Sequence, residues 1–284
     1  MHGSKLAVVV VVLGLGCRDG RPRKELPAVS VLPGELAVAF DPAATGDIRG
    51  SVTWTGPPPV VPAFQIHGNY EFPVTQTKPS TWPNPLAPNI DAASAGVRDA
   101  VVYLRQVDPK KSKPWQHPPA VVAMQNHQLK IAGKGIGFAR LGATLTLVNE
   151  DAIFHSVQAR GAAFFALPFP DAGKPSVRQL HKKGVIELSS GAGFYWMRAF
   201  VFVDDHPYYA ATDEQGRFQM SQVPAGTYQI VCWLPNWHVL RHERNPETAL
   251  ITQVAFAPAL EQEREIIIQA GETARVDFTL DVKE

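Results

Sequence analysis

His155 and Met197 are the residues of this chain whose types suit a soft metal ion. His155 stands in Asn149-Glu150-Asp151-Ala152-Ile153-Phe154-His155-Ser156-Val157, and Met197 closes Gly191-Ala192-Gly193-Phe194-Tyr195-Trp196-Met197. Imidazole with thioether suits Cu(I), and His181 or His206 would supply a third donor. For tight Cu(II) the set is too small, and the only cysteines, Cys17 and Cys232, lie far from this stretch. The competing reading makes His155 a hydrogen-bonded loop histidine and Phe194, Tyr195 and Trp196 an apolar filling. No resident cofactor is expected; weak copper binding at His155 and Met197 is the alternative.

Signals for catalysis are poor. Trp237-His238-Val239-Leu240-Arg241-His242-Glu243 spaces two histidines at i, i+4, but a zinc hydrolase needs Glu after the first, where Val239 stands. After Pro235 and Asn236 this segment is expected to be an exposed polar loop. No Gly-x-Ser-x-Gly elbow occurs. Gly133-Lys134-Gly135-Ile136-Gly137 has neither the Lys-Ser/Thr ending nor the following helix of a phosphate loop. Asp204-Asp205 and Glu261 with Glu263 read as solvated charges. No catalytic residue is assigned, and the chain is expected not to be an enzyme; a polysaccharide-acting enzyme is the lesser alternative.

The elements that must carry these residues are strands. With 25 Pro and 22 Gly in 284 residues, turns are frequent, and a net charge of +1 gives no drive toward nucleic acid. Lys5 followed by the apolar run Leu6 to Leu15 reads as a signal peptide over residues 1–16. Gly14-Leu15-Gly16-Cys17 resembles a bacterial lipobox, which implies a lipidated Cys17 and an exported chain, periplasmic or at the cell surface, anchored to a membrane. Residues 17–45, rich in Pro, Ala and charge, read as a flexible tether. A lipidated Cys17 leaves no disulfide, and Cys232 in Gln229-Ile230-Val231-Cys232-Trp233 is expected to be a buried, inert thiol. Alternating or continuous apolar runs predict strands at 46–54, 100–104, 121–124, 128–131, 144–148, 185–188, 198–203, 217–220, 227–233, 251–256, 266–268 and 274–280. Residues 64–98, broken by prolines, read as a long ordered loop. The fold class expected is all-β, two sandwich modules with few or no helices.

Residues 118–204 resemble a small cupredoxin of the amicyanin or plastocyanin type. In that family a strand ending in Asn-x-Asp leads to the first copper-binding His, matched by Asn149, Asp151 and His155. The remaining ligands come on one loop as Cys-x-x-His-x-x-Met. Counting back from Met197 puts Phe194 at the His position and Gly191 at the Cys position, so the resemblance implies a copper site stripped of its thiolate and second imidazole.

Thr212-Asp213-Glu214-Gln215-Gly216-Arg217-Phe218 and Pro224-Ala225-Gly226-Thr227-Tyr228 resemble the carboxypeptidase regulatory-like, or transthyretin-like, sandwich, an accessory rather than catalytic module. Residues 46–106 read as its opening strands and 205–284 as its completion, with the cupredoxin-like unit nested between; tandem domains are the alternative. Pairing of the strands at 48–54 or 101–104 with 227–233 would mark nesting. Together these readings imply a non-enzymatic binding or scaffolding lipoprotein of the cell envelope, whose partner is an envelope protein or a glycan.

Overall fold

The computed structural model of the protein describes residues 40–66, 80–247 and 249–281. Cys17 and the signal and tether segments up to residue 39 lie outside them. The described residues contain one 3-10 turn, Pro42–Ala44, no α-helix, and 23 strands, so the chain is all-β. The first leg holds β1 (Thr45–Trp54), β2 (Phe64–Ile66), β3 (Ser80–Trp82), β4 (Asn89–Ile90), β5 (Val97–Arg98) and β6 (Val101–Arg105). The middle segment holds β7 (Val121–Gln125), β8 (Gln128–Ile131), β9 (Ile136–Arg140), β10 (Thr144–Asn149), β11 (His155–Gly161), β12 (Phe165–Phe169), β13 (Ser176–Gln179), β14 (Gly184–Ser190) and β15 (Arg198–Asp204). The last leg holds β16 (Tyr209–Ala211), β17 (Arg217–Pro224), β18 (Gly226–Leu234), β19 (Val239–Arg244), β20 (Ile251–Phe256), β21 (Leu260–Ile268), β22 (Thr273–Arg275) and β23 (Phe278–Leu280).

The middle segment makes two sheets, β13-β10-β7-β8 and β12-β11-β14-β15-β9. Their inward faces close over a core that includes Val122, Leu145, Leu147, Val157, Ile186, Leu188 and Val201. The two outer legs pair with each other. β1 runs antiparallel to β17, with Ile48 opposite Met220, and parallel to β22 and β23. β6 runs antiparallel to β18, with Val102 opposite Cys232 and Leu104 opposite Ile230. These strands enclose a second core around Ile48, Val52, Leu104, Phe218, Ile230, Cys232 and Phe278.

A third apolar layer lies between the two cores. Val101 and Tyr103 of β6, Val231 and Trp233 of β18, and Phe200 and Phe202 of β15 meet there. Tyr103 stacks on Tyr209 at 5.1 Å, and Phe202 meets Trp233 edge-on at 5.1 Å. β6, β15 and β18 are therefore buried on both faces, which is why they read as continuous apolar runs rather than alternating ones.

Several segments differ from their sequence reading: β9, β11, β12, β13 and β16 form where no strand was expected, so His155 opens a strand rather than sitting in a loop, and 274–280 divides into β22 and β23. Within 64–98 the backbone pairs as two short hairpins, β2 with β3 and β4 with β5; proline frequency hid strands of only two or three residues. Residues 239–244 are not a loop: β19 pairs with β20 as an antiparallel hairpin. Its buried Val254 joins the core of the middle segment, with Val239, Ile251 and Phe256 packed beside it.

Candidate functional site

The region around His155 is built from three turns. Asn149, fully buried, ends β10 and donates through Nδ2 to the carbonyls of Ile153 (2.8 Å) and Phe169 (3.3 Å). Its Oδ1 accepts the Asp151 N–H at 3.0 Å, so the Asn-Glu-Asp turn is set by one amide. β7 and β8 are joined by Asn126-His127, both at positive φ (51° and 56°), the two-residue hairpin turn that matches strand twist. The N–H groups of Asn126 and His127 donate to the Asp151 carboxylate at 2.7 and 3.1 Å, tying the hairpin tip to the turn before β11.

His155 opens β11 and is 1% exposed; its Nε2 donates to Asp151 Oδ2 at 2.9 Å. Burial pushes the imidazole pKa below its ordinary value, against the pull of Asp151. Burial would raise Asp151, but the two backbone N–H groups and His155 hold it below the usual carboxylate range. The pair is thus a carboxylate and a neutral imidazole protonated on Nε2. The lone pair on Nδ1 is buried and has no hydrogen-bond partner.

The loop 191–197 supplies the other wall. The Phe194 ring centroid lies 5.0 Å from that of His155 and 5.2 Å from that of His127, while the two imidazoles are 6.2 Å apart. Phe194 therefore packs against both. Trp196 donates Nε1 to the His127 carbonyl at 3.0 Å and packs on Trp82, with ring centroids 5.6 Å apart. Tyr195 meets Phe64 edge-on at 5.4 Å and donates its hydroxyl to the Gln65 carbonyl at 3.0 Å. The β2–β3 hairpin thus caps the loop. Arg198, 7% exposed, anchors it from below by donating to the carbonyls of Tyr195, Met197 and Val254 at 3.2, 2.9 and 2.6 Å. Its Nε lies 3.2 Å from Glu187 Oε1.

Of the residues singled out from sequence, His155 and Phe194 come together, and Met197, 2% exposed, lies in the same core as Phe194. His181 is exposed. His206 is buried elsewhere, stacked on Tyr208 and Tyr209 and 3.3 Å from Asp204. His127 was missed; its only signal was a polar Gln-Asn-His-Gln between two alternating runs. Gly191 is not the inward position. A Cβ there would meet Ser156 Oγ at 2.9 Å and Gln158 Nε2 at 3.0 Å, side chains of β11 that alternate with His155 and Val157. Ser190, 2% exposed, is paired with Val157 and so shares the face of His155. A type-1 copper site needs thiolate, two imidazoles and a thioether. The donors here are imidazole and thioether alone, and Phe194 packs against both imidazoles at the position where the resemblance puts a histidine ligand, so the residues do not fit that group. Among the described residues no three His, Cys, Asp or Glu side chains converge as a metal site. Cys232 is fully buried, and burial pushes its thiol up to about 12, which keeps it protonated and inert.

No family model matches the chain, and no curated protein matches it. Part of it is similar to solved copper proteins. A purple cupredoxin from Nitrosopumilus maritimus is 20% identical over 30% of this chain and 98% of its own, with a TM-score of 0.26. A copper-containing nitrite reductase from Thermus scotoductus SA-01 is 18% identical over 32% of this chain and 24% of its own, with a TM-score of 0.27. A mutant of amicyanin in the Cu(I) form is 16% identical over 36% of this chain and 97% of its own, with a TM-score of 0.26.

Proposed function

We propose that this chain is a non-enzymatic binding protein of the cell envelope, in which a cupredoxin-like sandwich carries an aromatic plug where such a scaffold would hold metal. The observation that carries this reading is Phe194, set about equally far from the His127 and His155 rings with no thiolate beside it. The plug is tied on every side, by Trp196 to His127 and by Arg198 to the loop backbone. A rigid, apolar-filled site favours a structural role over redox exchange. Export and a lipid anchor at Cys17 belong to the same proposal and rest on the amino-terminal sequence. Mass spectrometry of the mature protein is expected to find a modified Cys17 at the amino terminus; a mature chain starting elsewhere would remove the anchor.

The test of the plug is metal content. Protein incubated with Cu(II) and dialysed is expected to retain no copper and show no visible charge-transfer band. Retention that is lost in His155→Ala would overturn the reading.

A second reading, Cu(I) binding, is favoured by one specific observation, the buried and unpartnered His155 Nδ1. With Met197 and His127 it offers two imidazoles and a thioether, a soft set suited to the cuprous ion. Competition with a chromophoric Cu(I) chelator separates the two. Withdrawal of Cu(I) from the chelator by the protein, and not by His155→Ala, would establish the second.

A further inference from the structure

Away from the plug, an open cleft of about 640 Å³ lies where the β19–β20 hairpin meets the first leg. That volume is within the range of small-molecule sites. Its walls are apolar, among them Val60, Phe64, Tyr195, Trp237, Val239 and Leu250. Among the described residues its polar lining is Gln65, Asn84, His238, His242 and Arg244, with no Asp or Glu.

The polar groups divide into two kinds. Those deep in the cleft are committed within the protein. Asn84 donates Nδ2 to the Trp237 carbonyl at 2.9 Å and accepts the Leu86 N–H at 3.0 Å, and Tyr195 donates to Gln65. Those on the rim are exposed: the side-chain amide of Gln65, the imidazoles of His238 and His242 and the guanidinium of Arg244. Arg244 spends one N–H on the Ala249 carbonyl at 2.8 Å, which fixes its plane and leaves further N–H groups for a ligand. The neighbouring Arg241 is neutralised by Glu243 at 2.6 Å, but among the described residues no acid lines the cleft to neutralise Arg244. A neutral sugar carries hydroxyls all round and needs acceptors as well as donors. This cleft offers an apolar wall, one exposed side-chain amide at Gln65 and the fixed positive charge of Arg244.

We infer that the cleft binds an apolar molecule bearing a single carboxylate or phosphate, with the acid held by Arg244 and His242 and the apolar body laid along Phe64, Trp237 and Val239. The inference rests on the binding-protein reading and gives it a ligand class. It is independent of whether the plug excludes copper, so the two fail separately.

The experiment uses the mature chain and titrates dodecanoate, dodecyl phosphate and methyl dodecanoate by calorimetry and by tryptophan fluorescence. Saturable binding of either acid at one site per chain is expected, at least about tenfold tighter than the ester, as fits loss of a charged hydrogen-bond partner. The stronger of the two acids identifies the head group. Arg244→Gln is expected to weaken acid binding about tenfold and leave the ester unchanged; His242→Gln tests the same rim should Arg244→Gln unfold. Val239→Glu should weaken all three ligands. Equal affinity for acid and ester, no saturable binding, unchanged acid binding in a folded rim variant, or displacement of dodecanoate by a neutral oligosaccharide would each overturn the inference.

Discussion

At the residue scale the decisive side chains are Phe194 and Ser190. Strand parity, rather than a count back from Met197, decides where a thiolate would stand: Ser190 faces with His155 and Val157, whereas a side chain at Gly191 would face Ser156 and Gln158. Ser190→Cys combined with Phe194→His is therefore expected to give an intense visible band with Cu(II), since thiolate-to-copper charge transfer needs that sulfur beside an imidazole. Gly191→Cys combined with Phe194→His is expected to stay colourless. Absorption spectra of both double variants check this, and a band from the second alone would put the inward position at 191. A different histidine governs pH. His117 Nε2 donates to the Pro207 carbonyl at 2.7 Å. Burial pushes its pKa below the ordinary imidazole value, partly offset by that bond, and Lys113 lowers it further. A depressed folded pKa means that the unfolded chain binds the proton more readily. The stability His117 contributes is then present above about pH 6.5 and lost as pH falls through its folded pKa. His117→Gln keeps an amide N–H donor without titrating. Its unfolding midpoint is expected to fall less than that of the parent between neutral and mildly acidic pH, with His155 supplying a remaining slope of the same sign.

At the element scale the turn before β17 is the most constrained. Asp213 accepts from the N–H groups of Gln215 and Arg217, both at 2.9 Å, and Gly216 follows at φ 74°. A Cβ on Gly216 would run into the Val52 carbonyl and sit 2.8 Å from Gly96 Cα. Positive φ costs about 1–2 kcal/mol for a residue with a Cβ, and overpacking adds about 1–3 kcal/mol. Gly216→Val is expected to lose about 3 kcal/mol in a chemical denaturation experiment, more than a turn penalty alone. A loss near 1 kcal/mol would mean that the backbone of β1 yields. The Thr-Asp-x-x-Gly pattern was legible because the turn is local. The β19–β20 hairpin was not. His238, Leu240, Arg241 and His242 carry no strand alternation, since the ladder there is interrupted by a bulge between Val239 and Arg241.

At the scale of the whole molecule, strands far apart in sequence share sheets. β1 lies between β17 and the β22 and β23 strands, and β18 lies between β6 and β21. A chain cut to residues 205–284 would leave β17 without β1 and β18 without β6, exposing Ile230, Cys232 and Phe278 of their shared core. It is expected to show no cooperative unfolding by circular dichroism; a folded 205–284 fragment would mean that the last leg is a domain in itself. The continuous apolar runs Val101–Leu104, Ala199–Val203 and Ile230–Leu234 are legible in the sequence as strands, and the structure buries them on both faces. They could not say against what.

The strands at 46–54, 100–104, 198–203 and 227–233, the tight turn at 213–216, the buried thiol and the missing thiolate beside Met197 follow from the sequence, because period, turn chemistry and residue type act over a few positions. Tertiary structure alone decided the rest. It brought His127 to His155 by tying a hairpin tip to Asp151, 24 residues away. It set Arg198 under the loop through a carbonyl 56 residues on, and it assembled the cleft beside Arg244 from four separated stretches of chain. Such contacts depend on which strands pair and how two cores stack, and no local pattern encodes that choice.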